Sequence, residues 1–226
     1  SVGFPGWNET WWTEENIGKI ADRAICGDLL MKRDLDAVLR ADILRCELLR
    51  LFGGVCVDPA FQFFRPLHEL ILEDCLHFGF ERAKVASNLL IASPPGFGFW
   101  EFFLRRIRAV VIRPPQNARE ASWWAGKHAM TEALRMWTSD RWEGQELRNE
   151  TGGVGHWINH ADVVVWSRRI MFPYEWWEGS WRDFRKENHP DAYAAYHWGA
   201  CEAPVRDEPG STSPFEPAEA HEAPPD

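Results

Sequence analysis

Between Leu35 and Pro59 the sequence dictates a helix, a stop, a short strand and an acid, in that order. Leu44, Leu48, Leu51 and Phe52 recur at i, i+4, i+7 and i+8, so the spacing predicts a helix over residues 35–52 with one apolar face. Gly53 and Gly54 then end it, because a positive φ is cheap at glycine. Val55-Cys56-Val57 is an apolar run short enough for a buried strand of a largely parallel sheet. Asp58 closes that strand. A carboxylate in such a place stands where open α/β sheets bind ligands, or else it forms a turn or caps a helix. Asp42 and Arg45, three apart on the preceding helix, share a face that can run towards the same strand edge or form an ordinary ion pair.

The rest of the chain repeats this alternation. Thr13 followed by Glu14 and Glu15 reads as an N-cap with acids in the first turn, opening a helix to about Cys26. Residues 67–76 read as helical, Ala86 to Ser93 as a buried strand, Phe99 to Val111 as an apolar helix, residues 121–137 as another helix, and Ala161 to Trp166 as a strand. Strands alternating with helices predict an α/β layered domain over residues 1–201. From Glu202 on, Pro, Glu, Ala, Ser and Gly dominate, a composition too poor in apolar surface to order itself, so residues 202–226 read as an acidic, Pro-rich disordered tail.

Charge narrows the function classes. Of the net −9, the tail supplies six through seven acids and Arg206, which leaves a body near −3 without a basic stripe. A nucleic-acid surface is therefore not expected. No apolar run approaches the length of a membrane span, and the first residues do not read as a signal peptide. The five cysteines show neither CxxC pairing nor zinc spacing, and their odd number argues against a complete disulfide framework; they are expected to be free and buried, with one or two bridges as the alternative. The 14 tryptophans serve either core packing or a sugar site, since pyranose C–H faces stack on aromatic rings.

The stretch "ADILRCELLRLFGGVCVDPAFQFFRPL" resembles the signature of a DXD-containing sugar-transferase family. This glycosyltransferase family 32-like group includes fungal initiating mannosyltransferases, inositol-phosphoceramide mannosyltransferases and α1,4-galactosyltransferases. Asp42, Arg45, Leu49, Gly53, Gly54, Asp58 and the Pro66-Leu67 pair fall on its pattern. In the same order, "PGWNETWWTEENI" resembles the family's early Pro-Gly-Trp segment. "ETGGVGHW" resembles its Thr-Gly-Pro-Gly-x-Trp element, with Gly153 in place of proline, and "YHWGACEA" its closing His-His-x-x-Gly-Ser-Trp. Cys56 stands where the family has tyrosine, and Ala60 where it has the last acid of the DXD motif.

The resemblance implies a GT-A type nucleotide-sugar domain, with a Rossmann-like, mostly parallel sheet flanked by helices and lacking the family's first strand. It implies a retaining glycosyltransferase that moves a hexose from a GDP- or UDP-sugar to a glycan or glycolipid hydroxyl. Asp58 is then the catalytic residue, with Asp42, Arg45, Gly53, Gly54 and Asp58 binding the donor. Asp58 and His197 hold Mn²⁺ or Mg²⁺ in a weakened site, and Thr151, Gly152 and Gly155 make a substrate loop, which the sequence also allows to be a plain loop. Eukaryotic enzymes of this kind are often tethered in the Golgi lumen by an N-terminal anchor, here absent from the chain, whereas bacterial and viral relatives need none; two Asn-x-Thr triplets (Asn8 and Asn149) allow a lumenal setting. The alternative is a catalytically inactive relative that binds sugar or protein, because Ala60 replaces the second acid.

Overall fold

The computed structural model describes residues 3–82, 85–111, 124–139, 145–149, 152–158, 161–174 and 183–197. The 202–226 tail, Thr151 and Cys201 lie outside the described residues. The N-terminal helices are α1 (Glu14–Ala21), α2 (Gly27–Leu30) and α3 (Ala37–Phe52). Strands β1 (Gly54–Val57), β2 (Phe61–Phe63), β3 (Leu76–Arg82) and β4 (Val85–Ser93) follow. Then come α4 (Gly98–Val110), α5 (Lys127–Trp137), β5 (Gln145–Asn149), β6 (Gly152–Ile158), β7 (Val163–Trp166), α6 (Arg168–Met171) and β8 (Ala194–Tyr196).

Among the described residues, six strands form one sheet in the order β1-β4-β3-β7-β6-β5, and β2 pairs with β8 in a separate ribbon. The α/β class holds, but the mostly parallel sheet does not. Only β3 and β7 run parallel, and the other four pairings in the large sheet are antiparallel. The expected buried strand is likewise corrected: β1 lies at the edge of the sheet, bonded to β4 alone, with Gly54 and Val57 exposed. A short apolar run fits an interior parallel strand and an edge strand equally well, and tertiary pairing decides between them. The helix expected over residues 67–76 shrinks to one 3-10 turn, Leu67–Leu70, before β3 begins. The first helix ends at Ala21, short of Cys26, which instead caps α2.

Both sheet faces are covered, and the strands alternate between them. Val163 and Val165 of β7, with Phe78 and Ile91, join the core under α1 to α5. Val164 and Trp166, with Leu90 and Ala92, join a second core beneath α6, the 3-10 turn and the β2–β8 ribbon. Apolar residues on both sides of a strand are what a two-faced sheet requires. The tryptophans divide accordingly: Trp100 and Trp166 are fully buried, whereas Trp7 and Trp11 are exposed. Cys26, Cys46 and Cys75 are free and buried, and Cys56 is free and half-buried.

Candidate functional site

The turn after α3 determines where Asp58 stands. Asp36 caps α3 by accepting the Leu39 N–H at 2.9 Å, and Gly53 ends it at φ 64°. A side chain at Gly53 would meet the Pro95 nitrogen at 2.5 Å, so helix and β1 can join this tightly only through glycine. The four residues of β1 then carry the chain back along α3, and the Asp58 N–H bonds the Leu89 carbonyl of β4 at 2.8 Å. Gly53 and Gly54 thus lie at the opposite end of β1 from Asp58, about 13 Å away at strand rise. Their glycine character is explained by the turn. Asp58 itself is half-buried, and its Oδ1 accepts the Ala60 N–H at 2.9 Å, so it is a turn former as well as a candidate ligand.

Asp42 reaches the same corner from α3. Its Oδ1 accepts from Arg45 Nη1 and from Asn88 Nδ2, each at 2.8 Å, and Asn88 directly precedes the Leu89 that holds Asp58. Asp42 is 8% exposed. Burial pushes its carboxyl up to about 6, against the pull of the Arg45 charge and of the hydrogen bonds from Arg45 and Asn88. Asn88 had a visible signal in the sequence, as the one amide inside the apolar run from Ala86 to Ser93.

His197 arrives from the far end of the chain. Beside the β2–β8 pairing its N–H donates to the Ala60 carbonyl at 3.0 Å, which places it against the position of the missing acid. Tyr174 Oη lies 2.9 Å from its Nδ1 and Gln62 Oε1 lies 2.7 Å from its Nε2. With the amide oxygen as partner, Nε2 carries the proton and Nδ1 accepts from the tyrosine hydroxyl. Burial lowers the His197 pKa, in keeping with a neutral ring. Gln62 and Tyr174 had no sequence signal of their own.

The glycine-rich "TGGVG" segment forms a strand from Gly152 onward, bonded to β5 on one side and β7 on the other. A side chain at Gly155 would lie 2.2 Å from the Val165 carbonyl oxygen, so close approach of β7 accounts for this glycine without a ligand.

A divalent cation fits these residues poorly. Among the described residues no three His, Cys, Asp or Glu side chains converge. Ala60 offers a buried methyl group where an acid would stand, Asp58 uses one oxygen in its own turn, and both ring nitrogens of His197 are committed. Hard cations need several oxygen ligands, and of the two carboxylates at this corner Asp42 is held by Arg45 and Asn88 and Asp58 by its own turn.

No family model and no curated protein matches the chain. Among solved structures it is similar to one described as "PaToxG Glycosyltransferase", at 18% identity and a TM-score of 0.39. The match covers 54% of this chain and 41% of that one, so this chain spans less than half of that protein's length. So loose a likeness leaves the function to rest on the chain's own residues.

Proposed function

We propose that this chain is a GT-A type nucleotide-sugar domain that transfers a hexose, with retention, from a GDP- or UDP-sugar to a hydroxyl of a glycan or glycolipid. One observation carries the reading. Asp42, Asn88, Asp58 and the His197 backbone, drawn from residues as far apart as 42 and 197, are linked through direct bonds and adjacent strand positions at one end of β1. In this reading Asp58 faces the donor sugar and ribose, while Asp42, held by Arg45 and Asn88, shapes the wall behind it. The bond from the anomeric carbon to the diphosphate breaks, and one to the acceptor oxygen forms. The acceptor proton leaves with the nucleoside diphosphate.

Asp58→Asn is the direct test. The asparagine carbonyl can still accept the Ala60 N–H, so the turn and the melting temperature should survive. Release of UDP or GDP from its hexose conjugate should fall at least a hundredfold, in line with losing a group that acts on the reacting centre. Turnover equal to the parent protein would sink the assignment.

A second reading, that the domain binds sugar or protein without catalysis, is favoured specifically by Ala60. Ala60→Asp separates the two. A large gain in Mn²⁺-dependent turnover marks an enzyme with an impaired site, and no gain favours a binding module.

A further inference from the structure

A nucleotide-sugar donor brings a diphosphate whose growing negative charge must be met, and among the described residues the corner at Asp58 offers no cage for a cation. The neighbouring face of the β2–β8 ribbon offers something else. Phe61 and Phe63 pack against the second core, so Gln62, and Phe64 just beyond the strand, point to the other side. There His197 holds Gln62 Oε1 at 2.7 Å, which leaves the exposed amide NH₂ with two donors and no partner among the described residues. Phe184 stands edge-on to His197 at 5.7 Å between ring centroids and stacks on Phe64 at the same separation.

Two cations complete this face. Lys186 Nζ lies 5.5 Å from the centre of the Phe64 ring and donates to the carbonyls of His189 and Pro190 at 2.7 and 3.0 Å. One of its three N–H groups is left over. The Arg65 guanidinium covers the Tyr193 ring at 5.1 Å and donates to the Pro190 carbonyl at 3.4 Å. Neither forms an ion pair with a carboxylate among the described residues. Burial, and then the Arg65 charge, lower the Lys186 pKa, against the opposing pull of the more distant Asp191 and Glu187 carboxylates.

Resting on the donor-binding reading above, we propose that this face binds the diphosphate of a nucleoside diphosphate directly, without a divalent cation. The Gln62 amide, Lys186 and Arg65 would serve as donors, and His197 would position Gln62. The face is continuous with the Asp58 corner, because Ala60, two residues after Asp58, bonds His197 and Gln62 follows two residues later.

The test is calorimetric titration of UDP and GDP, and of UMP and GMP, into the full chain, once with Mn²⁺ and once with excess EDTA. The expected result is that one nucleoside diphosphate binds with Kd in EDTA within about threefold of that in Mn²⁺. Lys186→Ala should weaken that diphosphate about tenfold, the size of one charge-assisted hydrogen bond, and leave the monophosphate nearly unchanged. Lys186→Gln serves if the alanine variant fails to fold. His197→Phe should also weaken the diphosphate selectively, a split that general loss of packing would not produce. Binding only in Mn²⁺ would overturn the metal-free inference and leave the donor reading standing. Binding in EDTA that ignores Lys186→Ala and Gln62→Ala would overturn the assignment to this face. Binding of neither nucleotide in either buffer would overturn the donor reading, and this inference with it.

Discussion

On the helical side of the large sheet, Phe99, Trp100 and Phe103 are buried and their polar neighbours are provided for. The Trp100 indole N–H donates to Ser93 Oγ at 2.8 Å, and the fully buried Glu47 accepts from the Cys26 N–H and from Arg50. On the other side, Trp166 Nε1 is buried without a partner among the described residues, and its ring lies 5.3 Å from that of the buried His77 between centroids. Unpartnered buried donors are expensive, and native cores contain few. The helical side therefore carries stability on ordinary terms, while the side that meets the β2–β8 ribbon and His197 carries polar groups that a purely structural core would have replaced. The candidate site runs from the first side to the second around the β1 edge.

The largest effect should come from the helical side. Phe103 is 1% exposed and stacks on Phe99 at 5.7 Å, so Phe103→Ala should cost about 3–5 kcal/mol in denaturant unfolding, from lost burial and the cavity left behind. A cost below about 1 kcal/mol would break the claim that this side is an ordinary, tightly packed core.

The two sides should also titrate with opposite sign. Burial lowers the His77 pKa to about 4, from 6.5, while its Nε2 accepts the Leu72 N–H. The unfolded chain then binds the extra proton first, so this group removes about 3 kcal/mol as pH falls from 6.5 to 4. Asp42 behaves oppositely. Its raised pKa favours the fold below 3.8, and about 3 kcal/mol of that is lost as pH rises through 6. In the parent chain the two largely cancel. Asp42→Asn should therefore stabilise the protein near neutral pH and steepen its loss of stability in acid, whereas His77→Gln should reverse the slope. Unfolding curves at pH 4, 5, 6 and 7 for the three chains check this, and parallel pH profiles would contradict it.

The smallest effect belongs to the surface of the same helical layer. Arg105 pairs with Glu101 at 2.7 Å, one turn apart and both more than half exposed. Arg105→Ala should change stability by no more than about 0.5 kcal/mol. A larger loss would mean that the exposed face of α4 supports more than itself.

What could be read in the sequence was what depends on neighbours in the chain. The apolar spacing of Leu44, Leu48 and Leu51, the stop at Gly53 and the runs at Ala86–Ser93 and Val163–Trp166 located α3, β4 and β7. Strand direction was not legible, because Val55-Cys56-Val57 looks the same at the edge as inside. β3 was hidden because His77 and Gly79 interrupt its apolar pattern, although both face tightly packed surroundings. At the site, Asp42 and Asp58 could be named from local motif, whereas the Gln62 partner of His197 lies 135 positions away and exists only through the β2–β8 pairing. Asn88 falls between these cases, visible as an oddity whose purpose needed the helix opposite.

The lone parallel seam has a consequence for how the molecule comes into being. β1, β4 and β3 can pair antiparallel within residues 54–93, and β5, β6 and β7 within residues 145–166, all over far shorter stretches of chain than the parallel seam. Leu76 meets Val163 only after 87 intervening steps of chain. Local pairings form before such distant ones, since loop closure must come first. A growing chain on the ribosome thus holds a finished three-stranded half while the outer edge of β3 waits bare for β7. Until that seam closes, neither core has both its walls, and the β3 edge is the stretch that other chains can reach.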